Sequence, residues 1–234
     1  MKIITSITPK GGPGKTTLLY SYAKYRHDQG KKVLIVDFDE NFSLTNMYER
    51  RIEFLEANEV EDIGFPTVLN LQPSKAMLER QIRDLGKDYD EVLIDTAGKI
   101  ERYHRDLCLF VDLVLIPVRP VQASIDNAIA TCEYLDDVRE ENDNMPVYGI
   151  AALGFKKNGV EDREYLREFD DSVRFTKQTE YADKAYKVSD RRGLSITELD
   201  KCELLGRKDR EAAAKAAIQM RLLCKEISEL VEAI

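Results

Sequence analysis

The sequence predicts an α/β fold: a doubly wound, mostly parallel sheet flanked by helices, with a long C-terminal helix. Three observations predict it. A strand, a helix and a second strand follow one another within residues 1–40, continuous apolar runs recur after them, and helical stretches separate those runs. A strand–helix–strand unit joins parallel strands. Apolar runs without polar alternation suit strands covered on both faces.

The elements can be taken in order. Residues 2–7 are β-prone and lead into a Gly/Pro-rich turn. A helical stretch carrying Leu18, Leu19, Tyr22 and Ala23 follows, Gly30 ends it, and Lys31-Lys32 lead into the apolar run Val33 to Val36. Further strands are expected at 92–94, 113–116 and 147–153, with helices near 73–86, 99–110 and 122–141 and a polar turn at 140–146. Beyond residue 155 a helix near 159–171, a strand near 172–178 and a short helix ending before Gly193 are expected. Residues 208–233 read as one long helix, with Met220, Leu223, Ile227, Leu230 and Ile234 forming a packing stripe at three- and four-residue spacing. No repeat or linker interrupts the chain, so one domain over 1–234 is the simplest expectation.

Composition narrows the function. The chain has 234 residues, 43% of them hydrophobic, enough for a sizeable core. No apolar run is long enough to cross a membrane, and the first residues do not form a signal peptide. Cys108, Cys132, Cys202 and Cys224 lie far apart with no CxxC pair, as expected of reduced thiols in a cytoplasmic protein. The net charge of -8 argues against a constitutive nucleic-acid binder but leaves room for a local basic face, particularly one doubled by dimerisation.

The strongest motif is Lys10-Gly11-Gly12-Pro13-Gly14-Lys15-Thr16-Thr17, set between a strand and a helix. A bound triphosphate needs inward-pointing backbone N–H groups, a helix N-terminus, a lysine and a hydroxyl for Mg²⁺. The general phosphate-loop pattern would put its first glycine at position 9, where Pro9 stands. The variant KGGxGK[ST] is matched in full, and by it the chain resembles the ParA/MinD family, whose deviant Walker A motif this is. The resemblance implies a P-loop NTPase that binds ATP or ADP with Mg²⁺ and hydrolyses ATP slowly. Residues 11–17 would bind the nucleotide: Lys15 the β- and γ-phosphates of its own subunit, Thr16 the Mg²⁺. Lys10 would cross a homodimer interface and neutralise charge at the partner's nucleotide. Adenine is inferred from the family, since no NKxD-like motif for guanine is evident.

Three further segments extend the likeness. Asp37-Phe38-Asp39-Glu40-Asn41-Phe42-Ser43-Leu44-Thr45 matches the family's DxDPQxSxT at Asp37, Asp39, Ser43 and Thr45, while Glu40 and Asn41 replace Pro-Gln. By resemblance Asp37 supports Mg²⁺ through water and Asp39 positions the attacking water; a plainer reading has both acids capping the next helix. Val92-Leu93-Ile94-Asp95 is a Walker B strand whose Asp95 would hold Mg²⁺ through water. Leu115-Ile116-Pro117-Val118-Arg119-Pro120 resembles the family's segment around the nucleotide and interface. The likeness covers residues 1–155 and continues loosely from Tyr186 to Ser195. A chain starting at the P-loop strand suggests the small plasmid-partition ParA proteins without an N-terminal helix-turn-helix.

The resemblance implies an ATP-bound dimer that holds DNA nonspecifically until a ParB-like centromere-binding partner stimulates hydrolysis, with the protein associated with the nucleoid and not with a membrane. The candidate DNA contacts are Arg207, Lys208, Arg210, Lys215, Arg221 and Lys225, with Arg191 and Arg192 as a second cluster; a solvated basic helix face is the alternative. Other functions stay open: positioning a protein cargo, assisting DNA transfer or conjugation, or a metabolic ligase or reductase on the same fold. Glu226, Glu229 and Glu232 on the last helix argue against an anionic membrane as the target.

Overall fold

The computed structural model describes residues 1–9, 14–74, 76–99, 102–140, 147–156, 158–175, 177, 179–180 and 182–234. Six strands form one parallel sheet: β1 (Lys2–Ser6), β2 (Val33–Asp37), β3 (Thr67–Asn70), β4 (Glu91–Asp95), β5 (Leu113–Val118) and β6 (Val147–Ala152). Their order across the sheet is β3-β2-β4-β1-β5-β6. The eight helices among the described residues are α1 (Lys15–Asp28), α2 (Ser43–Ala57), α3 (Leu78–Gly86), α4 (Arg102–Cys108), α5 (Gln122–Glu140), α6 (Val160–Leu166), α7 (Ala182–Arg192) and α8 (Arg207–Ala233).

The apolar runs become central strands because both faces are covered. Ile4, Val33, Ile35, Leu93, Leu113, Leu115 and Ala151 pack with α1, α2, α7 and α8. Their alternating neighbours Ile3, Leu34, Val36, Val92, Ile94, Val114 and Ile116 pack on the other face with α3, α4, α5 and α6. Each such fully buried aliphatic side chain contributes about 1.5–3 kcal/mol. In α8 the expected stripe is buried at Met220, Leu223 and Ile227, whereas Ile234 at the helix end is exposed.

The register positions the chemistry. Ser6 and Asp37 both pair with Asp95, so β1, β2 and β4 end at one level, with Asp37 of β2 beside Asp95 of β4. The crevice beyond these C-terminal ends is where parallel sheets of this kind bind ligands.

One expectation is corrected, and one strand was not foreseen. The strand expected over 172–178 is a 3-10 turn (Asp171–Val173) followed by two single parallel bridges, Ile150 to Arg174 and Leu153 to Thr179. Arg174 turns its guanidinium back onto the Leu166 carbonyl and Asp171, and the Phe175 ring lies against Gly149 of β6. The edge strand β3 was not expected. It is four residues long and only half-buried, so it carries neither an alternating pattern nor a continuous apolar run.

Candidate active site

The site is built on the N-terminus of α1. Gly14 precedes the helix with φ 107°, a left-handed conformation open to glycine. A Cβ there would overlap the Tyr186 hydroxyl and come within 2.8 Å of Leu153 Cδ1. The chain therefore needs glycine at this point for two reasons, backbone angle and space. The next two residues turn into the protein. Lys15 is buried and donates to Thr8 Oγ1 at 3.2 Å. Burial lowers its pKa, opposed by the nearby Asp95 and Asp39 carboxylates. Thr16 donates from Oγ1 to Asp95 Oδ2 at 2.7 Å.

Asp95 is fully buried, and its second oxygen, Oδ1, has no hydrogen-bond partner among the described residues. Burial pushes its carboxyl up to about 7, and the neighbouring Asp37 and Asp39 add to this, while Thr16 and Lys15 oppose it. A buried, unpartnered carboxylate oxygen costs stability unless a cation or proton meets it.

The two acids of the β2 end hold the start of α2. Asp37 Oδ2 accepts from the Thr45 amide at 2.9 Å and from its hydroxyl at 2.8 Å. Asp37 Oδ1 accepts from the Asp39 amide at 3.0 Å. Asp39 accepts from the Asn41 amide at 3.0 Å and from Ser43 Oγ at 2.6 Å. The capping reading of these acids is thus realised in this structure. It does not exhaust them, since each carboxylate offers about four acceptor positions.

A cavity of about 440 Å³ opens in front of these groups, lined by Gly14 to Thr17, Asp39, Asn41, Ser43, Thr96, Gly98, Arg119 and Tyr186. Its dimensions, the helix N-terminus, the buried lysine, and the Thr16–Asp95 pair with its unpartnered oxygen fit a Mg²⁺–nucleotide. Thr8, Arg119 and Tyr186 were given no role by sequence reasoning. Arg119 and Tyr186 join the site through the sheet order and α7, a proximity that no local motif encodes.

Lys10, Gly11, Gly12 and Pro13 lie outside the described residues, as do the side chains of Arg207 and Lys208. The remaining candidate DNA contacts do not converge on one face. At 3.6 residues per turn, Arg210, Arg221 and Lys225 share a stripe of α8, and Lys215 lies about 140° away from Arg210. Arg210 bonds the Leu205 carbonyl at 3.3 Å, Lys215 pairs with Glu211 at 3.2 Å and Lys225 with Glu229 at 3.7 Å. Arg221 bonds Asp200 at 3.0 Å and also the Thr197 carbonyl. Arg192 lies over the Phe54 ring at 5.3 Å, and Arg191 is exposed on the last turn of α7.

Fold and phosphate-loop motif together define a P-loop ATPase of the ParA/MinD class. Within it, the chain belongs to the VirC1 protein family, whose model matches residues 1–152. Protein virC1 of Rhizobium rhizogenes is 28% identical over 142 residues, covering 58% of this chain and 56% of that protein. The chromosome-partitioning ATPase Soj of Thermus thermophilus is 25% identical over 162 residues, covering 60% of this chain and 64% of Soj. The chain thus matches just over half the length of its virC1 relatives. Among solved structures, MinD with Mg-ADP from Pyrococcus horikoshii superposes with a TM-score of 0.70 at 16% identity, covering 98% of this chain and 96% of that one. The pNOB8 ParA structure gives a TM-score of 0.68 at 19% identity over 99% of both chains. No described helix is long and apolar enough to cross a membrane.

Proposed function

We propose that this chain is an ATP-dependent DNA-partitioning switch: Mg²⁺–ATP closes two copies into a dimer that holds DNA nonspecifically, and partner-stimulated hydrolysis releases it. The observation that carries the proposal is the Thr16 bond to Asp95, with one buried Asp95 oxygen left without a partner among the described residues, behind a cavity that Lys15 and Thr16 line. Bound Mg²⁺ would supply charge neutralisation at the β- and γ-phosphates. Thr16 and Asp95 would hold it, Asp37 would assist through water, and the amides at the start of α1 with Lys15 would cradle the phosphates. Asp39 would orient the attacking water, exchanging its bond to Ser43 or Asn41 to do so. Lys10 would act across the dimer, and residues 1–234 would serve as one domain.

The DNA arm of the reading draws support from the family and from the pNOB8 ParA structure bound to nonspecific DNA, which shares this fold at a TM-score of 0.62. Exposed pairs such as Lys215–Glu211 and Lys225–Glu229 are weak, and a DNA phosphate can replace the carboxylate. Retention of a random-sequence duplex should require ATP or a slowly hydrolysed analogue and should fall steeply with salt. Equal retention with ADP, or none in any nucleotide state, would reject the DNA role.

A second reading keeps the ATPase and changes its task to assisting DNA transfer. Glu40 and Asn41 in the first switch and the long α8 accommodate it. Deleting the gene should then lower conjugative transfer while leaving plasmid inheritance intact, the reverse of the first reading.

A further inference from the structure

The cavity has two chemically different ends. Asp39, Ser43, Thr96 and Gly98 line the end beside β2 and β4, where the carboxylates gather. Arg119 follows β5 and Tyr186 comes from α7, on the opposite side of β1. A Mg²⁺–nucleotide with its phosphates on α1 and its metal beside Asp95 would extend its sugar and base away from the carboxylates, toward Arg119 and Tyr186.

Tyr186 lines this end of the cavity. Its hydroxyl is buried against Gly14 and Leu153 and has no hydrogen-bond partner among the described residues. The ring is only partly buried, and the Arg119 guanidinium lies 5.3 Å from its centroid. A phenol sequestered in this way normally finds a partner. Burial raises its pKa, so it remains a protonated donor under ordinary conditions.

We infer that Tyr186 is a nucleotide-recognition residue, its hydroxyl completing its hydrogen bonding on the sugar–base half of the bound nucleotide while Arg119 holds the ring in place. The inference rests on the nucleotide reading above and adds to it a contact from outside the phosphate loop and the acidic switches. It also gives α7 a role in recognition, by a residue far in sequence from every motif that announces the site.

The test compares the full chain with Tyr186→Phe, titrated by calorimetry with Mg²⁺–ADP and with Mg²⁺–tripolyphosphate, which lacks sugar and base. Removing the hydroxyl should weaken Mg²⁺–ADP roughly 3- to 10-fold, the loss of one neutral hydrogen bond. Tripolyphosphate binding should not change. The nucleotide-free melting temperature should hold or rise, because the hydroxyl has no partner among the described residues to lose. Unchanged Mg²⁺–ADP affinity would overturn the inference. So would an equal loss for tripolyphosphate, which would mean that the hydroxyl acts through the shape of the loop at Gly14. If the parent chain binds neither ligand, the nucleotide reading itself fails and takes this inference with it.

Discussion

Asp95 has one oxygen on the Thr16 hydroxyl and one that is buried without a partner among the described residues, and this asymmetry sets a pH dependence. Its carboxyl is pushed up to about 7, chiefly by burial, whereas in the unfolded chain it would titrate near about 3.9. The folded, nucleotide-free protein therefore holds a proton that the unfolded chain releases between these two values. Through this group, stability is greatest below about pH 4 and declines as pH rises toward 7. A metal ion competes for the same oxygen, so the sign for ligand binding is opposite. Mg²⁺–ADP should bind roughly tenfold more weakly at pH 6 than at pH 8, as the proton must leave first. The nucleotide phosphates also titrate in this range, and Asp95→Asn separates the two effects. The variant should keep only the slope due to the phosphates. Identical pH slopes in parent and variant would remove Asp95 from the metal site.

At the scale of elements, α7 connects the two halves of the site. Tyr186 on its first half reaches the loop at Gly14, and Gly193, just past its end, lies against the backbone of Met47 and Arg51 in α2. Tyr20 of α1 donates to the Gly193 carbonyl at 2.9 Å. Gly193 has φ +68°, so it ends α7 in the left-handed conformation that helix termini favour, and a Cβ would overlap α2 itself. Gly193→Ala should destabilise the fold by about 2 kcal/mol or more, combining backbone strain with steric overlap. Differential scanning calorimetry should register a melting temperature lower by about 4 °C or more. An unchanged melting temperature would mean that α2 and α7 are not packed this closely.

Much of this arrangement was legible in the chain. Buried parallel strands are apolar throughout, and Val33–Asp37 and Glu91–Asp95 announce themselves with an acid at the functional end. Glycine ends α7 where the sequence places it. The edge strand β3 was invisible because a half-exposed strand of four residues gives no period. The 172–178 segment looked like a strand, but its described residues make one isolated bridge, Arg174 to Ile150 of β6, before Thr179 bridges to Leu153. The phosphate-loop and switch motifs are contiguous in sequence, and the structure brings their described residues Lys15, Thr16, Asp37, Asp39 and Asp95 to one end of the sheet. Arg119 and Tyr186 were quoted in motifs but could be given no role, since their meeting depends on strand order and on the seating of α7.

For the whole molecule, net charge and local charge pull in different directions. The chain is acidic at -8, and the cations of α8 lie on more than one face, each described one bonded to a carboxylate or a carbonyl. Arg221 in particular ties α8 to Asp200 and Thr197, which gives it structural work whatever else it touches. On the proposed reading, a DNA-holding surface would have to come from two copies together and from exchange of weak surface pairs, and a nucleotide-dependent dimer would be the controlling event. That event depends in turn on the cavity at the start of α1 being a Mg²⁺–ATP site. Calorimetric titration of Mg²⁺–ATP into the parent chain and into Lys15→Ala tests this most directly. The account predicts saturable binding of one nucleotide per chain in the parent and a loss of affinity of about 100-fold or more in the variant, where a charge-assisted phosphate contact is gone. Equal binding by the two proteins, or no binding by the parent, would contradict it.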